Sequence, residues 1–310
     1  MCKMTPALNT LTDNFKVLKL HISMQFQHNV QLPEYKGSML HGWFGQALKN
    51  HDSNAYQVLF AINDNQSHPK PYIICPNEDH KKHWKKGEIL SFELSLLGDA
   101  ITLADNVIDA LRYCTRYGFG EDRHEMLITS IASITPLGLR VGIHPCSLSE
   151  WIAHSGFDVL YEGEKEIALS FLTPALLKKR TTNNSQNGKS TNKTRPIQPS
   201  ELSLFDISNA ALRRLTQLCS FWLIDNQDLI DAVYNERPTV FICETNRHLY
   251  FEDWQRHSIK HDKKLPFGGL KGQISFYGEV NHLIPLLKIG EVLHIGSKTT
   301  FGLGKYKVIG

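Results

Sequence analysis

Glycines and lysines occur together in the C-terminal segment, residues 290–305, and this combination can bind a phosphate group. The segment contains Gly296, Ser297, Lys298, Gly302, Gly304 and Lys305. Glycine lets backbone N–H groups approach an oxyanion closely, and lysine supplies the opposite charge. The spacing matches neither a P-loop, which needs GxxxxGK[ST] opening a helix, nor the GxGxxG of a dinucleotide fold. Two interpretations stay open: a phosphate-binding loop, and a tight glycine-bearing hairpin without a ligand.

A histidine on a predicted helix is the second candidate for chemistry. On a helical wheel with about 100° per residue, one half of this helix carries Met39, Leu40, Trp43, Phe44, Ala47 and Leu48. His41 falls in the other half with Gly42 and Gly45. Because glycine in a helix costs on the order of 1 kcal/mol relative to alanine, the two glycines indicate that another group approaches this face closely. That group is either a neighbouring loop of the same protein or RNA, and both place His41 at the contact.

These segments together resemble the CRISPR-associated repeat endoribonucleases, Cas family six of the RAMP superfamily. The specific motif is the terminal Gly296-Ser-Lys-Thr-Thr-Phe-Gly302-Leu-Gly304, which follows a second glycine cluster at Gly268, Gly269, Lys271 and Gly272. Residues 37–49 match the family's first helix, and residues 171–174 match the strand that opens its second half. The resemblance covers most of the chain, although only the terminal loop is a specific motif.

The resemblance implies a metal-independent endoribonuclease that binds CRISPR repeat RNA and cleaves the precursor transcript into guide RNAs. RNA carries its own nucleophile: the 2′-OH attacks the adjacent phosphorus when a base removes its proton and an acid protonates the leaving 5′ oxygen. The expected ends are a 5′-hydroxyl and a 2′,3′-cyclic phosphate. Histidine suits either proton transfer because its ordinary pKa of about 6.5 lies near working pH. His41 is therefore the first catalytic candidate.

Four further residues belong to the predicted catalytic set. Lys49 is a candidate for stabilising the phosphorane, and His51 is the alternative to His41. Tyr35 and Tyr56 are the nearest candidates for the tyrosine that many relatives carry close to the histidine. Some relatives have arginine where this chain has His41, so an RNA contact without proton transfer stays open.

The predicted RNA contacts extend beyond the terminal loop. The full set is Gly268, Gly269, Lys271, Gly296, Ser297, Lys298, Gly302, Gly304, Lys305, Arg213 and Arg214. The two arginines are expected to point outward from an amphipathic helix. Two other functions remain as alternatives: a non-catalytic RAMP subunit that binds guide RNA in a CRISPR surveillance complex, and an unrelated RNA-modifying or tRNA-binding ferredoxin-like protein. Other CRISPR-associated effector subunits and a second copy of the chain are further candidate partners.

The apolar spacing predicts strand, helix, strand, strand, helix, strand, followed by a second copy of the same order. The expected elements are strands at 15–27, 88–97, 126–144, 166–173, 239–244 and 272–280, helices after Pro33, from Asp105 and from Ser208, and a helix over 281–289 that closes on Gly290 before a strand from Val292. The fold class is α+β, with tandem ferredoxin-like (RRM-like) βαββαβ domains. We predict domains at 1–165 and 166–310, and a mobile basic insertion at 178–200.

The composition of the chain limits which partners, metals and cofactors are expected. The formal net charge of the 310 residues is only +3, so affinity for a nucleic acid must come from local patches. Six cysteines without a CxxC pair and fifteen histidines without a ligand spacing predict no cofactor and no metal. The sequence has no apolar run of about 18 residues and no signal-peptide core, which predicts a cytoplasmic protein with no membrane partner.

Overall fold

The computed structural model describes residues 4–61, 68–77, 80–120, 123–157, 163–183, 191–223, 227–236, 241–253, 255–258 and 263–310. The helices are α1 (Pro6–Asn14), α2 (Gly37–His51), α3 (Ser53–Tyr56), α4 (Ala104–Cys114), α5 (Leu148–Ala153), α6 (Leu204–Trp222), α7 (Gln227–Asn235) and α8 (Ile284–Leu293). The strands are β1 (Lys16–Phe26), β2 (Val30–Gln31), β3 (Tyr72–Pro76), β4 (His83–Trp84), β5 (Ile89–Leu97), β6 (Met126–Thr135), β7 (Gly138–Val141), β8 (Cys146–Ser147), β9 (Lys165–Ala175), β10 (Lys178–Asn183), β11 (Thr191–Pro196), β12 (Ile242–Glu252), β13 (Gln255–Ser258), β14 (Lys263–Pro266), β15 (Gly269–Gly278) and β16 (Tyr306–Ile309). Short stretches of other helix types cover Gln57–Ala61, Gly98–Leu103, Thr115–Tyr117, Val280–His282 and Thr299–Phe301.

The first half of the chain forms an antiparallel sheet with the order β3-β5-β1-β6-β7, and β8 pairs with the start of β1. The helix α2 lies between β1 and β3 in the chain, and α4 lies between β5 and β6. This order is that of a ferredoxin-like βαββαβ unit. The buried face predicted for the first strand is confirmed, because Leu20, Ile22 and Met24 are fully buried, while Lys19 and His21 on the opposite face are partly exposed.

The second half repeats this topology. Its sheet has the order β12-β15-β9-β16, with α6 following β9 and α8 following β15. The predicted α+β class with tandem ferredoxin-like units is therefore confirmed. The domain boundary between residues 165 and 166 stays a prediction. No helix in the described part of the chain is long and apolar enough to cross a membrane.

The structure corrects the end of the last helix. The sequence predicts that Gly290 stops a helix and that a strand begins at Val292, but α8 continues through both to Leu293. A β-carbon at Gly290 would lie 2.8 Å from the Ala211 β-carbon and would also meet the Tyr306 hydroxyl. Glycine at this position therefore allows α8 to pack closely on α6 and β16, and it does not end the helix.

The structure also corrects both ends of the segment predicted as a mobile insertion, 178–200. The strands β10 and β11 pair antiparallel, from Lys178 opposite Pro196 to Asn183 opposite Thr191. The hairpin leaves the core between two buried side chains, Leu177 and Ile197, whose backbones are hydrogen-bonded at 2.9 Å. These flanking apolar residues anchor a sequence whose own composition predicts no structure. The residues between the two strands lie outside the described residues.

The two halves share an apolar cluster. Its first-half members include Leu11, Val17, Ile73, Leu97 and Ile152, and its second-half members include Leu212, Leu215, Ile289 and Leu293. Burying a large apolar side chain contributes roughly 1.5–3 kcal/mol, so this cluster joins the halves into one packed body. The terminal segment is thereby held against the first half of the chain.

Candidate active site

His41 lies in the second turn of α2, at the junction between the two halves. Its Nε2 atom is 2.9 Å from the Tyr72 hydroxyl. Its imidazole stacks on the Phe301 ring, with the ring centres 4.1 Å apart and the planes at 25°. Since Tyr72 begins β3 and Phe301 belongs to the C-terminal glycine-rich loop, both halves of the chain hold this histidine, which is half-buried.

Tyr72 is the partner of His41 that sequence reasoning did not find. Its side chain is buried, and burial together with the nearby Tyr56 raises the pKa of the Tyr72 hydroxyl well above its ordinary value. The phenol therefore stays protonated at working pH and can hydrogen-bond to the imidazole. The available signal was the aromatic series Tyr56, Phe60 and Tyr72, because the Phe60 ring lies 5.4 Å from Tyr56 and 5.1 Å from both Tyr72 and His41.

The backbone of the glycine-rich loop is tied to the end of β9. The amide of Ser297 donates to Leu176 O at 3.1 Å, and the amide of Gly304 donates to Pro174 O at 3.0 Å. Lys298 has a φ of 64° and Gly302 a φ of 84°, so the chain turns through left-handed conformations at both. Gly302 and Gly304 are buried, whereas Gly296 is exposed and Ser297 and Lys298 are half-buried. Among the predicted loop contacts, Gly296, Ser297, Lys298 and the half-buried Lys305 therefore have surface that a ligand can meet.

Close packing accounts for glycines on both sides of this junction. A β-carbon at Gly302 would lie 2.7 Å from Ile74 O, and one at Gly37 would meet Phe301 O. The two glycines predicted to share a face of α2 with His41 differ. Gly45 is buried, against its predicted place off the core, and its β-carbon would lie 2.8 Å from the Phe60 ring, whereas Gly42 is exposed with nothing within 4 Å. A neighbouring segment of the same protein therefore explains Gly45, and only Gly42 leaves an open face beside His41.

Two more of the predicted site residues, Tyr35 and Lys298, lie at the junction with His41. The predicted catalytic residues Lys49, His51 and Tyr56 do not contact His41. Tyr35 donates its hydroxyl hydrogen to Phe301 O, and the Lys298 Nζ lies 4.8 Å above the Phe267 ring, which neighbours Tyr35 at 6.0 Å. Lys49 and His51 are exposed near the end of α2. At 1.5 Å per residue they lie about 12 and about 15 Å along the axis from His41. Tyr56 reaches His41 only through the Phe60 ring.

The other predicted RNA contacts fall into different environments. Gly268 and Gly269 are buried against neighbouring strands, and Lys271 pairs with Glu252 at 3.3 Å. Arg213 is exposed, as predicted. Arg214 corrects the prediction, because its Nε and Nη2 atoms are buried and have no hydrogen-bond partner among the described residues. Burial also lowers the pKa of Arg214 to about 10.

Lys305, at the end of the loop, faces the first sheet: its Nζ lies 3.6 Å from Glu93 Oε1 on β5. Among the described residues no group of three or more His, Cys, Asp and Glu side chains has an arrangement that could hold a metal ion.

Two family models match the sequence, one in each half. Residues 169–306 match the model of the CRISPR-associated endoribonuclease Cas6 family. Residues 15–146 match a model described as an N-terminal domain. No curated protein matches the sequence.

Solved structures of similar fold include Cas6 proteins. Cas6 of Thermus thermophilus in a product complex has a TM-score of 0.58 at 15% identity, over 94% of this chain and 100% of that chain. A second structure of Thermus thermophilus Cas6 has a TM-score of 0.53 at 13% identity, over 95% of this chain and 99% of that chain. A partial Cas6-RT-Cas1–Cas2 complex gives 0.59 at 12% identity, over 95% of this chain and 46% of that chain. Identities this low show the shared fold. Residues 169–306 therefore match the CRISPR-associated endoribonuclease Cas6 family, and nearly the whole chain has the fold of solved Cas6 structures.

Proposed function

We propose that this protein is a metal-independent endoribonuclease that binds CRISPR repeat RNA and cleaves the precursor transcript by attack of the 2′-OH on the adjacent phosphorus. The observation that carries the proposal is the position of His41. It is half-buried between α2 and the glycine-rich loop, hydrogen-bonded to Tyr72 and stacked on Phe301. Two neighbours hold this histidine in one orientation, and such a positioned imidazole can act as a general acid or base toward an RNA oxygen within hydrogen-bond reach.

Each residue at the junction has a separate role in this proposal. His41 transfers a proton to or from the reacting oxygens, and the Tyr72 hydroxyl fixes the orientation of the imidazole. Phe301 covers one face of that ring and so limits its motion. Lys298, which is half-buried at the same junction, supplies positive charge to the phosphorane. Lys49 lies too far along α2 for this role.

Cleavage of labelled repeat RNA in EDTA tests the reaction. We expect product with a 5′-hydroxyl and a 2′,3′-cyclic phosphate or its hydrolysis product, because the substrate itself supplies the nucleophile. A 2′-deoxy substitution at the cleaved nucleotide should abolish product. Activity that vanishes in EDTA and returns with Mg²⁺ would overturn the proposed mechanism. Tight binding of repeat RNA without any cleavage would instead indicate the non-catalytic RAMP subunit.

The role of Tyr72 predicts a smaller and distinct effect. Tyr72→Phe keeps the buried ring but removes the hydroxyl that contacts His41, and a hydrogen bond of this kind contributes about 1 kcal/mol. We expect single-turnover cleavage to slow roughly 5- to 10-fold, because the imidazole loses the partner that fixes its orientation. Tyr234→Phe is the matched control, since it removes a hydroxyl that contacts Thr216 at 2.8 Å, away from His41. Equal single-turnover rates for the Tyr72→Phe variant and the parent would exclude the proposed role.

Association with other CRISPR-associated proteins is a further part of the proposal. A complex that contains Cas6, RT, Cas1 and Cas2 is among the structures with this fold. Co-purification of the chain with candidate subunits in the presence of repeat RNA tests it.

A further inference from the structure

The hairpin formed by β10 and β11 belongs to a segment with a high concentration of positive charge. Residues 178–200 contain six basic and no acidic residues, whereas the formal net charge of all 310 residues is only +3. The rest of the chain is therefore net negative. With so low a total charge, affinity for a polyanion has to come from a local patch, and this basic hairpin is such a patch.

The positive charge at the base of the basic hairpin is open to solvent. Lys178, Lys179 and Arg180 are all exposed. Lys179 shares a face of the hairpin with Arg195, which donates to the Glu201 carboxylate at 2.6 and 2.5 Å. These hydrogen bonds lower the pKa of Glu201 most, and the charge of Lys179 contributes to the shift. Lys178 and Arg180 lie on the other face, because they are two residues apart, and neither has an ion-pair partner among the described residues.

The base of the basic hairpin is fixed to the second half of the molecule. The flanking Leu177 and Ile197 are buried, and the Ile197 amide donates to Leu177 O at 2.9 Å. Arg247 of β12 donates to Leu202 O at 2.9 Å and also to Pro199 O, just beyond β11. The backbone that carries the exposed charges therefore leaves the core at a defined point.

That point lies beside the candidate active site. Leu176 O accepts from the Ser297 amide of the glycine-rich loop at 3.1 Å, and Phe301 of the same loop stacks on His41. Lys178 follows Leu176 by two residues, so its backbone lies within about 7 Å of this contact. An RNA strand bound at the exposed part of the loop therefore has the basic hairpin as its neighbour.

We propose that the basic hairpin is an RNA-binding site that holds the phosphate backbone of the repeat RNA beside the cleavage site, with Lys178 and Arg180 as its contacts. The site rests on the proposed function, because its ligand is the same RNA. Both side chains bind phosphate by charge, and the arginine guanidinium can also donate two parallel N–H···O bonds.

The composition of residues 178–200 favours this ligand over a protein. They contain no aromatic residue, and the buried Ile197 is their only large apolar residue. Protein interfaces have an apolar and aromatic centre, which this hairpin lacks. Without aromatic rings it also has nothing on which bases stack, so the contact should not depend on base sequence.

Salt-dependent binding of an uncleavable repeat RNA, with a 2′-deoxy nucleotide at the cleavage site, tests this site. Lys178→Ala/Arg180→Ala should reduce the slope of log affinity against log salt by about 1.4–1.8, since each phosphate contact contributes about 0.7 for a single strand and about 0.9 for a duplex. The loss of affinity between about 50 and about 200 mM salt should then shrink roughly 7- to 12-fold. An unrelated RNA of equal length should show the same reduction.

The matched control removes one lysine and one arginine from the first sheet. Lys16 begins β1 and Arg140 lies on β7, and both are exposed. The strand β7 is the sheet edge opposite β3, the strand against which Gly302 packs. Lys16→Ala/Arg140→Ala should therefore keep the parental slope. Both double variants should melt at the parental temperature, because all four side chains are exposed.

A parental slope in Lys178→Ala/Arg180→Ala, or an equal reduction in the control, would overturn the site. So would an unchanged slope together with lost association with another CRISPR-associated protein, which would assign the hairpin to a protein partner. If the alanine variant does not fold, Lys178→Gln/Arg180→Gln replaces it with the same reduction expected.

Binding and cleavage assays on the same variants distinguish this site from the proposed function. A protein that cleaves no RNA, but whose salt slope falls in Lys178→Ala/Arg180→Ala, counts against the proposed cleavage alone. A protein that cleaves repeat RNA, but whose slope the double variant leaves unchanged, counts against the basic hairpin alone.

Discussion

His41→Ala is expected to slow cleavage of repeat RNA by about 10²–10⁴-fold, the usual contribution of a positioned general acid or base. RNA affinity should change little, because the imidazole is half-buried between Tyr72 and Phe301 and offers only a small surface to the RNA. Single-turnover rates at saturating protein, together with a binding curve for uncleavable 2′-deoxy repeat RNA, separate the chemical step from binding.

The controls for this variant use other histidines of the same chain. His28 is exposed and bonded to Glu125, so His28→Ala should cleave at the parental rate. His51→Ala tests the alternative candidate, which lies beside Tyr113 near the end of α2. Normal cleavage by His41→Ala with loss of cleavage in His51→Ala would move the catalytic assignment to His51. Melting temperatures of all three variants show whether losing the Phe301 stack has unfolded the junction.

Gly304→Ala should destabilise the fold by roughly 4 kcal/mol or more, which is exceptional for the addition of one methyl group. The β-carbon would fall on Ile295 O, deep inside contact distance, and the backbone at this position has a φ of 76°. The same residue accepts from the Ile295 amide and donates to Pro174 O, so the clash cannot be relieved without breaking the attachment of the loop to β9. Chemical denaturation, or the yield of soluble protein if unfolding is complete, measures the effect.

Gly42→Ala is the matched control because it adds the same methyl group where nothing lies within 4 Å. In a helix interior this change should stabilise the protein by about 1 kcal/mol. A Gly304→Ala protein that melts at the parental temperature would contradict the packing explanation of the loop glycines. Weaker repeat-RNA binding by a well-folded Gly42→Ala variant would show that RNA approaches the open face beside His41.

The sequence by itself determined the order of elements and the fold class. Alternation at Leu20, Ile22 and Met24 specifies a strand with one buried face, since successive side chains of a strand point to opposite sides. The same order of strands and helices occurs in both halves of the chain, and the rules for connecting strands allow few topologies for that order. Both sheets confirm the tandem ferredoxin-like arrangement. The position of His41 on a helix off the main apolar face also follows from local periodicity alone.

Only the tertiary structure decided which residues meet. Tyr72 lies 31 residues from His41, and they come together because β3 and α2 pack on each other, a contact that no local pattern records. Gly290 has the features of a helix stop in sequence, but the approach of Tyr306 and Ala211 gives it a packing role inside α8. Arg214 falls on the polar side of α6, but its Nε and Nη2 atoms are buried while the neighbouring Arg213 is exposed. Periodicity distinguishes an apolar face from a polar one, but which polar positions remain in water depends on where the second half of the molecule docks.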